Sequence, residues 1–355
     1  MTSAEGSPGD TRLGDLGERG VLSQVFPRLS MGDQVLLGPG DDTALLAVPG
    51  GRVLATTDAM VRGQDWRDDW SSAADVGHKL TAANLADIAA MGGVATGLLV
   101  ALAADPDTPI SWVRGLTDGI VAEAGQVGAS LIGGDLSGAP PGVVMIAMTA
   151  LGHLPPGGQG TPVRRDGARV GDVVAVAGTL GRSDAGLRLL RQNSPDVDPL
   201  LVATHRRPCP PYRQGPAAAT AGAHAMIDLS DGLSRDAGRI ADASGVGIVL
   251  ERTTLSPYVD ELAPAVGLDA AWQCVLHGGE EHALLAAFAA ERALPPGWAR
   301  IGRVVAGSGV RLDADALPAG GWDHFEPDVE PDCEPDGEPD GTRETAHQAP
   351  GLLGG

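Results

Sequence analysis

Short apolar runs of strand length alternate along most of the chain with longer stretches whose apolar positions recur three and four apart. Runs at 44–48, 53–57, 97–102 and 143–151 predict strands, and the stretches 73–91 and 110–125 predict helices. A second set begins at residue 173, with strands predicted at 173–177, 225–229, 247–250, 283–288 and 301–305 and helices at 183–191 and 231–243. Both halves therefore predict mixed sheets covered by helices, in an order of strands that the pattern does not encode.

Between the two sets lies LPPGGQGTPVRRDGARVGD, residues 154–172, where glycine, proline and arginine interrupt the apolar spacing. The expected organisation is a flexible N-terminus (1–13), an N-terminal domain (14–153), a C-terminal domain (154–325) and a tail (326–355). That tail repeats EPDV, EPDC, EPDG, EPDG, offers little to bury, and predicts disorder. The 355 residues carry a formal net charge of -21, and the tail supplies -8 of it. Such an excess of acids opposes binding to a phosphate backbone, so nucleic acid is a poor candidate partner and none is expected. The longest apolar run, 89–104, is shorter than the ~18 residues a membrane-spanning helix needs. Cys209, Cys274 and Cys333 show neither paired nor metal-ligand spacing, which predicts a reducing, cytoplasmic setting. Lys79 is the one lysine in the chain, so a Walker A motif and a kinase strand lysine are both excluded.

The chemistry is concentrated in aspartates that follow apolar runs: VLLGPGDD (Asp41, Asp42), VLATTD (Asp58), SLIGGD (Asp135) and AMIDLSD (Asp228, Asp231). Asp87 falls on one helical face with Asn84 and Met91. Any one of these acids is an ordinary turn or cap residue. Five such groups at strand ends would repel one another without a cation, and hard oxygen donors suit Mg²⁺ or Ca²⁺. Adjacent glycines (Gly38, Gly40, Gly133, Gly134) admit a ligand close to the backbone, and Thr56, Thr57 and Ser230 add hydroxyls. Together these features predict phosphate chemistry routed through metal, with Arg165 in the connecting stretch placed to reach a phosphate. His78, His205, His224, His277 and His282 show no ligand spacing and read as surface or packed residues.

In order, GPGDDTALL, ATTDAMVRGQDW, ANLADIAAMGG, LIGGD, GTLGRSDAGL, IDLSDGL, GGEEHALL and GWDHF resemble the thiamine-monophosphate kinase family, over nearly all of residues 14–325. The wider superfamily also holds aminoimidazole ribonucleotide synthetase, selenophosphate synthetase and a hydrogenase-maturation dehydratase. The resemblance implies a two-domain α+β fold, with an N-terminal α+β domain that forms a barrel with its twin in a homodimer and a C-terminal α/β domain. It implies direct, Mg²⁺-assisted transfer of the γ-phosphoryl group of ATP onto thiamine monophosphate, with several Mg²⁺ ions and a role for K⁺ left open. By position it assigns Asp42, Thr56, Thr57, Asp58, Asp87, Asp135, Asp228 and Asp231 to metal, Gly134, Asp135, Arg165 and Ser230 to the nucleotide, and Glu280 to the acceptor.

Departures from the family pattern lie on the acceptor side. Asp65-Trp66 stands where the family has His-Phe, and Glu281, His282 and Ala283 replace Asp-Tyr-Glu after Glu280. Asp65 would alter the charge beside the acceptor, while Trp322 would either stack on an aromatic ring or anchor the C-terminal strand. The alternative function is a nucleotide- and metal-binding member with another acceptor or no turnover. No cysteine precedes Cys209 and the chain ends GLLGG, which disfavours the selenophosphate and hydrogenase-maturation activities.

Overall fold

The computed structural model describes residues 11–39, 44–155 and 160–322. Asp41, Asp42 and the segment 326–355 lie outside that set. The first half contains α1 (Leu13–Val25), β1 (Val35–Leu37), β2 (Leu45–Leu46), β3 (Leu54–Val61), α2 (Ala73–Ala90), β4 (Val94–Ala104), α3 (Ile110–Gly125), β5 (Ser130–Gly138) and β6 (Val144–His153). Strands β3-β6-β4-β5 form a four-stranded sheet in which only β4 and β5 are parallel, and β1 pairs with β2 separately. Alternation along β6 puts Val144, Ile146, Met148 and Ala150 on the face covered by α2 and α3, where all are fully buried. Leu99 and Met145 point the other way and are exposed.

The second half contains β7 (Val173–Ala177), α4 (Arg182–Arg191), α5 (Pro199–Arg206), α6 (Gln214–Ala221), β8 (Ala225–Asp228), α7 (Leu233–Ser244), β9 (Gly247–Leu250), α8 (Arg252–Val266), α9 (Leu268–His277), β10 (Leu284–Phe288), β11 (Trp298–Val305), β12 (Val310–Leu312) and β13 (Asp315–Ala316). Its seven strands run β13-β12-β9-β11-β7-β10-β8, antiparallel throughout except for β9 with β12. Every residue of β8, β9 and β10 is buried, which is why these strands read as continuous apolar runs without alternation.

Helix α2 joins the halves. Ser72 caps it, its hydroxyl accepting from the Asp75 amide at 3.3 Å while the Asp75 carboxylate accepts from the Ser72 amide at 2.9 Å. Its body packs on β3 and β6 and also touches β8 and α6 of the second sheet. At the α2–α6 crossing a Cβ on Gly215 would lie 2.0 Å from the Ala89 carbonyl oxygen, so only glycine allows this approach. A polar lock reinforces the seam: Tyr212 donates to Glu123 of α3, and His78 of α2 contacts the other Glu123 oxygen at 3.1 Å and the Pro208 carbonyl at 2.8 Å. The described residues form one compact unit, and none of their helices is long and apolar enough to cross a membrane.

Candidate active site

Four chain segments converge where α2 meets the end of β8. Thr56 and Asp58 alternate on the helix-facing side of β3, and the Thr56 hydroxyl donates to the Asp87 carboxylate of α2 at 2.6 Å. Asp228 closes β8, and His282 Nδ1 lies 3.1 Å from its Oδ2. Burial, reinforced by Asp228 and Asp58, pushes the Asp87 carboxyl up to about 7 against the pull of Thr56 and His282. Asp58 is likewise raised, first by burial and then by Asp228, with His282 opposing. His282 is raised in spite of its burial, because Asp228 bonds and attracts it and Asp87 and Glu280 add their charge. Thr56, Asp58, Asp87, Asp228 and His282 therefore share one electrostatic field.

The loop carrying His282 folds back on the one after β8. The amide of Glu280 donates to the Ser230 carbonyl at 2.8 Å and that of His282 to the Leu229 carbonyl at 3.0 Å. A Cβ on Gly279 would meet the Ser230 oxygen at 2.3 Å, which fixes glycine there. Glu280 and His282 both hold left-handed backbone, with φ of 62° and 53°, a conformation that non-glycine residues keep only when their surroundings impose it. Their side chains consequently face the cluster, while the intervening Glu281 turns away to accept from Thr179 and from the Ser183 amide at the start of α4. Glu280 Oε1 meets Lys79 Nζ at 2.7 Å.

Beyond β8 the Asp236 carboxylate accepts from the amides of Asp231 and Gly232 at 3.0 and 3.1 Å, which shapes the loop that presents Ser230. The Asp231 carboxylate pairs with Arg239, and its carbonyl accepts from the Trp322 amide at 3.1 Å, so Trp322 is anchored beside it with its side chain partly exposed.

Not every sequence-predicted residue joins this group. Strand pairing sets Thr57 opposite Thr149, and Thr149 opposite Leu99, on the sheet face away from α2. Asp135, level with Ala101 on β5, lies on that same open face and accepts from Ser137 at 2.9 Å. With Gly134 it lines a largely apolar cavity of about 960 Å³ against α1 and β2. Asp58 and Asp135 sit inside their strands rather than at strand ends. Arg165 is exposed in the short turn Arg165–Gly167 of the connection. Asp65 is turned into its own loop, where its carboxylate accepts from the Val61 amide at 2.6 Å. Asp42 lies outside the described residues.

Two contributors escaped the sequence reading. His282 is packed, as its spacing suggested, but against the acids; Lys79 entered only as an absence of P-loop chemistry. The pattern GGEEH placed His282 two residues from Glu280, which was the available signal. Both side chains pair with carboxylates whose compensation sequence reasoning assigned wholly to metal. Among the described residues no three His, Cys, Asp or Glu side chains stand as a ready-made metal-binding group. The donor set nonetheless fits a hard divalent ion, because Asp58 Oδ2 is buried without a hydrogen-bond partner and faces a field of further carboxylates.

Residues 40–154 match the N-terminal domain of AIR synthase related proteins, and residues 169–315 match the C-terminal domain of the same class. The chain is 44% identical over 322 residues to the thiamine-monophosphate kinase of Mycobacterium tuberculosis, covering 89% of this chain and 94% of that one. The crystal structure of thiamine-monophosphate kinase from Stenotrophomonas maltophilia superposes with a TM-score of 0.71 at 33% identity, over 84% of this chain and 95% of that one. The structure of AaThiL complexed with AMPPCP and TMP gives a TM-score of 0.71 at 30% identity, over 89% of this chain and 100% of that one. The chain belongs to the thiamine-monophosphate kinase family within the AIR synthase related proteins.

Proposed function

We propose that this chain transfers the γ-phosphoryl group of ATP directly onto the phosphate of thiamine monophosphate, giving thiamine diphosphate and ADP. The observation that carries this reading is the convergence of Thr56, Asp58 and Asp87 from one half with Asp228, Ser230, Glu280 and His282 from the other, in a chain so similar to thiamine-monophosphate kinases. The acceptor oxygen is already ionised near neutral pH, so positioning and charge neutralisation dominate and no side chain is required as a general base. Mg²⁺ would supply positive charge to offset the negative charge of the phosphates. Asp58, Asp87 and Asp228 would hold one ion, with Thr56 orienting Asp87 and with Asp42 and Asp231 proposed beside them; Thr57 and Asp135, on the opposite sheet face, would belong to a separate ion. Gly134, Asp135, Ser230 and Arg165 are assigned to the nucleotide. Glu280 and the exposed part of Trp322 are assigned to the acceptor, whose thiazolium ring is cationic. Asp65, whose carboxylate accepts from the Val61 amide, is assigned to the acceptor side with them.

The open face of the four-stranded sheet, with Leu99 and Met145 exposed, supports a homodimer in which a second copy covers it. The reading includes domains at 14–153 and 154–325 and a cytoplasmic setting. Incubating the protein with ATP, Mg²⁺ and thiamine monophosphate and resolving the products by chromatography tests the assignment. Equimolar thiamine diphosphate and ADP are expected, with none from unphosphorylated thiamine, and exchanging K⁺ for Na⁺ reads any monovalent-ion requirement. ADP without thiamine diphosphate, or no product at all, would reject the acceptor.

A further inference from the structure

Lys79 is buried, with 7% of its surface exposed, in the first half of α2, and it is the sole lysine of the chain. An ammonium so placed is costly unless fully paired. Its Nζ meets Glu280 Oε1 at 2.7 Å, while His205 Nδ1 of α5 approaches Glu280 Oε2 at 3.5 Å. His205 is in turn held by the Ser183 hydroxyl of α4 at 3.3 Å. Elements from both halves thus grip the two oxygens of one carboxylate, whose backbone is left-handed and whose side chain remains 37% exposed on its other side. A surface ion pair would not need a buried lysine, a buried histidine and a disfavoured backbone conformation. An acceptor-binding carboxylate that must point one way does.

We propose that Lys79 is a positioning residue for phosphoryl transfer, acting through Glu280: from beneath the site it fixes the carboxylate that receives the acceptor, with His205 as the second restraint. The assignment rests on the proposed acceptor role of Glu280. The pair also accounts for the charge state of Glu280, since Lys79 and His205 outweigh the effect of burial and hold its carboxyl down to about 2. Burial and the neighbouring Lys79 keep His205 low, at about 4.

The test compares wild type, K79M, E280Q and the K79M/E280Q double variant. K79M is expected to lower kcat/KM for thiamine monophosphate by about tenfold or more, with KM for ATP changed by less than about twofold. Because Lys79 acts through Glu280, the double variant should lose no more than the worse single variant. Losses that multiply, or a K79M protein with unchanged acceptor kinetics, would overturn the role. A wild-type chain that makes no thiamine diphosphate overturns the functional reading and the positioning role together. Since the chain has one lysine, ¹⁵N-lysine labelling yields a single side-chain ammonium resonance even if K79M fails to fold. E280Q should shift that resonance and speed its proton exchange, and an unmoved signal would reject the contact on which the proposal stands.

Discussion

His282 Nδ1 lies 3.1 Å from Asp228 Oδ2 where the end of β8 meets the left-handed loop before β10, both side chains being buried. The imidazole thereby offsets a carboxylate that also raises Asp87 and Asp58. Substituting H282F should leave Asp228 buried without this partner and lower metal-free stability by about 1–3 kcal/mol. Added Mg²⁺ should recover part of the loss by giving the Asp228 carboxylate a partner again. Urea unfolding with EDTA and with Mg²⁺ measures both, and an equal loss in the two conditions would separate His282 from the metal field.

Asp87 leads to the opposite sign. Burial, then Asp228, pushes its carboxyl up to about 7, so the ionised form is held at the expense of stability when no cation is present. D87N should raise metal-free stability at pH 8 by about 1 kcal/mol while reducing turnover by about 100-fold or more. A variant that is both less stable and fully active would contradict the assignment of Asp87 to metal.

The contrast between these two residues explains what was readable before folding. Helix α3 and strands β7 and β9 follow from local apolar spacing, and their observed limits coincide with the predicted ones. Helix α1 was hidden by Gly14, Gly17 and Gly20, and α8 by Pro257 and Pro264, residues that normally punctuate helices. Asp58, Asp87 and Asp228 announced themselves as acids beside apolar runs. His282 and Lys79 could not, because a buried basic side chain is defined by its partner, and Asp228 and Glu280 lie 54 and about 200 residues away along the chain. Which face of the sheet an acid occupies also depended on strand order: Asp135 and Asp58 look alike in sequence but lie on opposite faces.

The pH dependence of the Glu280 pair has a definite direction. Lys79 and His205 overcome burial to depress the Glu280 carboxyl from 4.5 to about 2. A depressed acid contributes stability that is present above its unfolded value and lost as pH falls through the folded one. The stability advantage of wild type over E280Q should therefore be constant above about pH 5 and shrink as pH falls from about 4.5 toward about 2. Chemical unfolding midpoints at pH 6, 4 and 3 give the trend, and an advantage that grows on acidification would show that the pair does not set the Glu280 charge.

The final prediction concerns the seam that brings the acids together. Gly215 of α6 approaches α2 so closely that a Cβ would lie 2.0 Å from the Ala89 carbonyl oxygen, and both atoms of that clash belong to packed helices. No flexible side chain is available to yield, so α6 must move away from α2. G215A should lower stability by about 1–3 kcal/mol through overpacking. Asp87 lies on α2 and Asp228 on β8, so separating α2 from the second half should also weaken catalysis beyond what the fraction unfolded explains. The stability loss is read from the urea midpoint and the catalytic loss from kcat at a temperature where the variant is fully folded. Unchanged kcat in the folded variant would mean that the α2–α6 crossing stabilises the molecule without setting the spacing of the site.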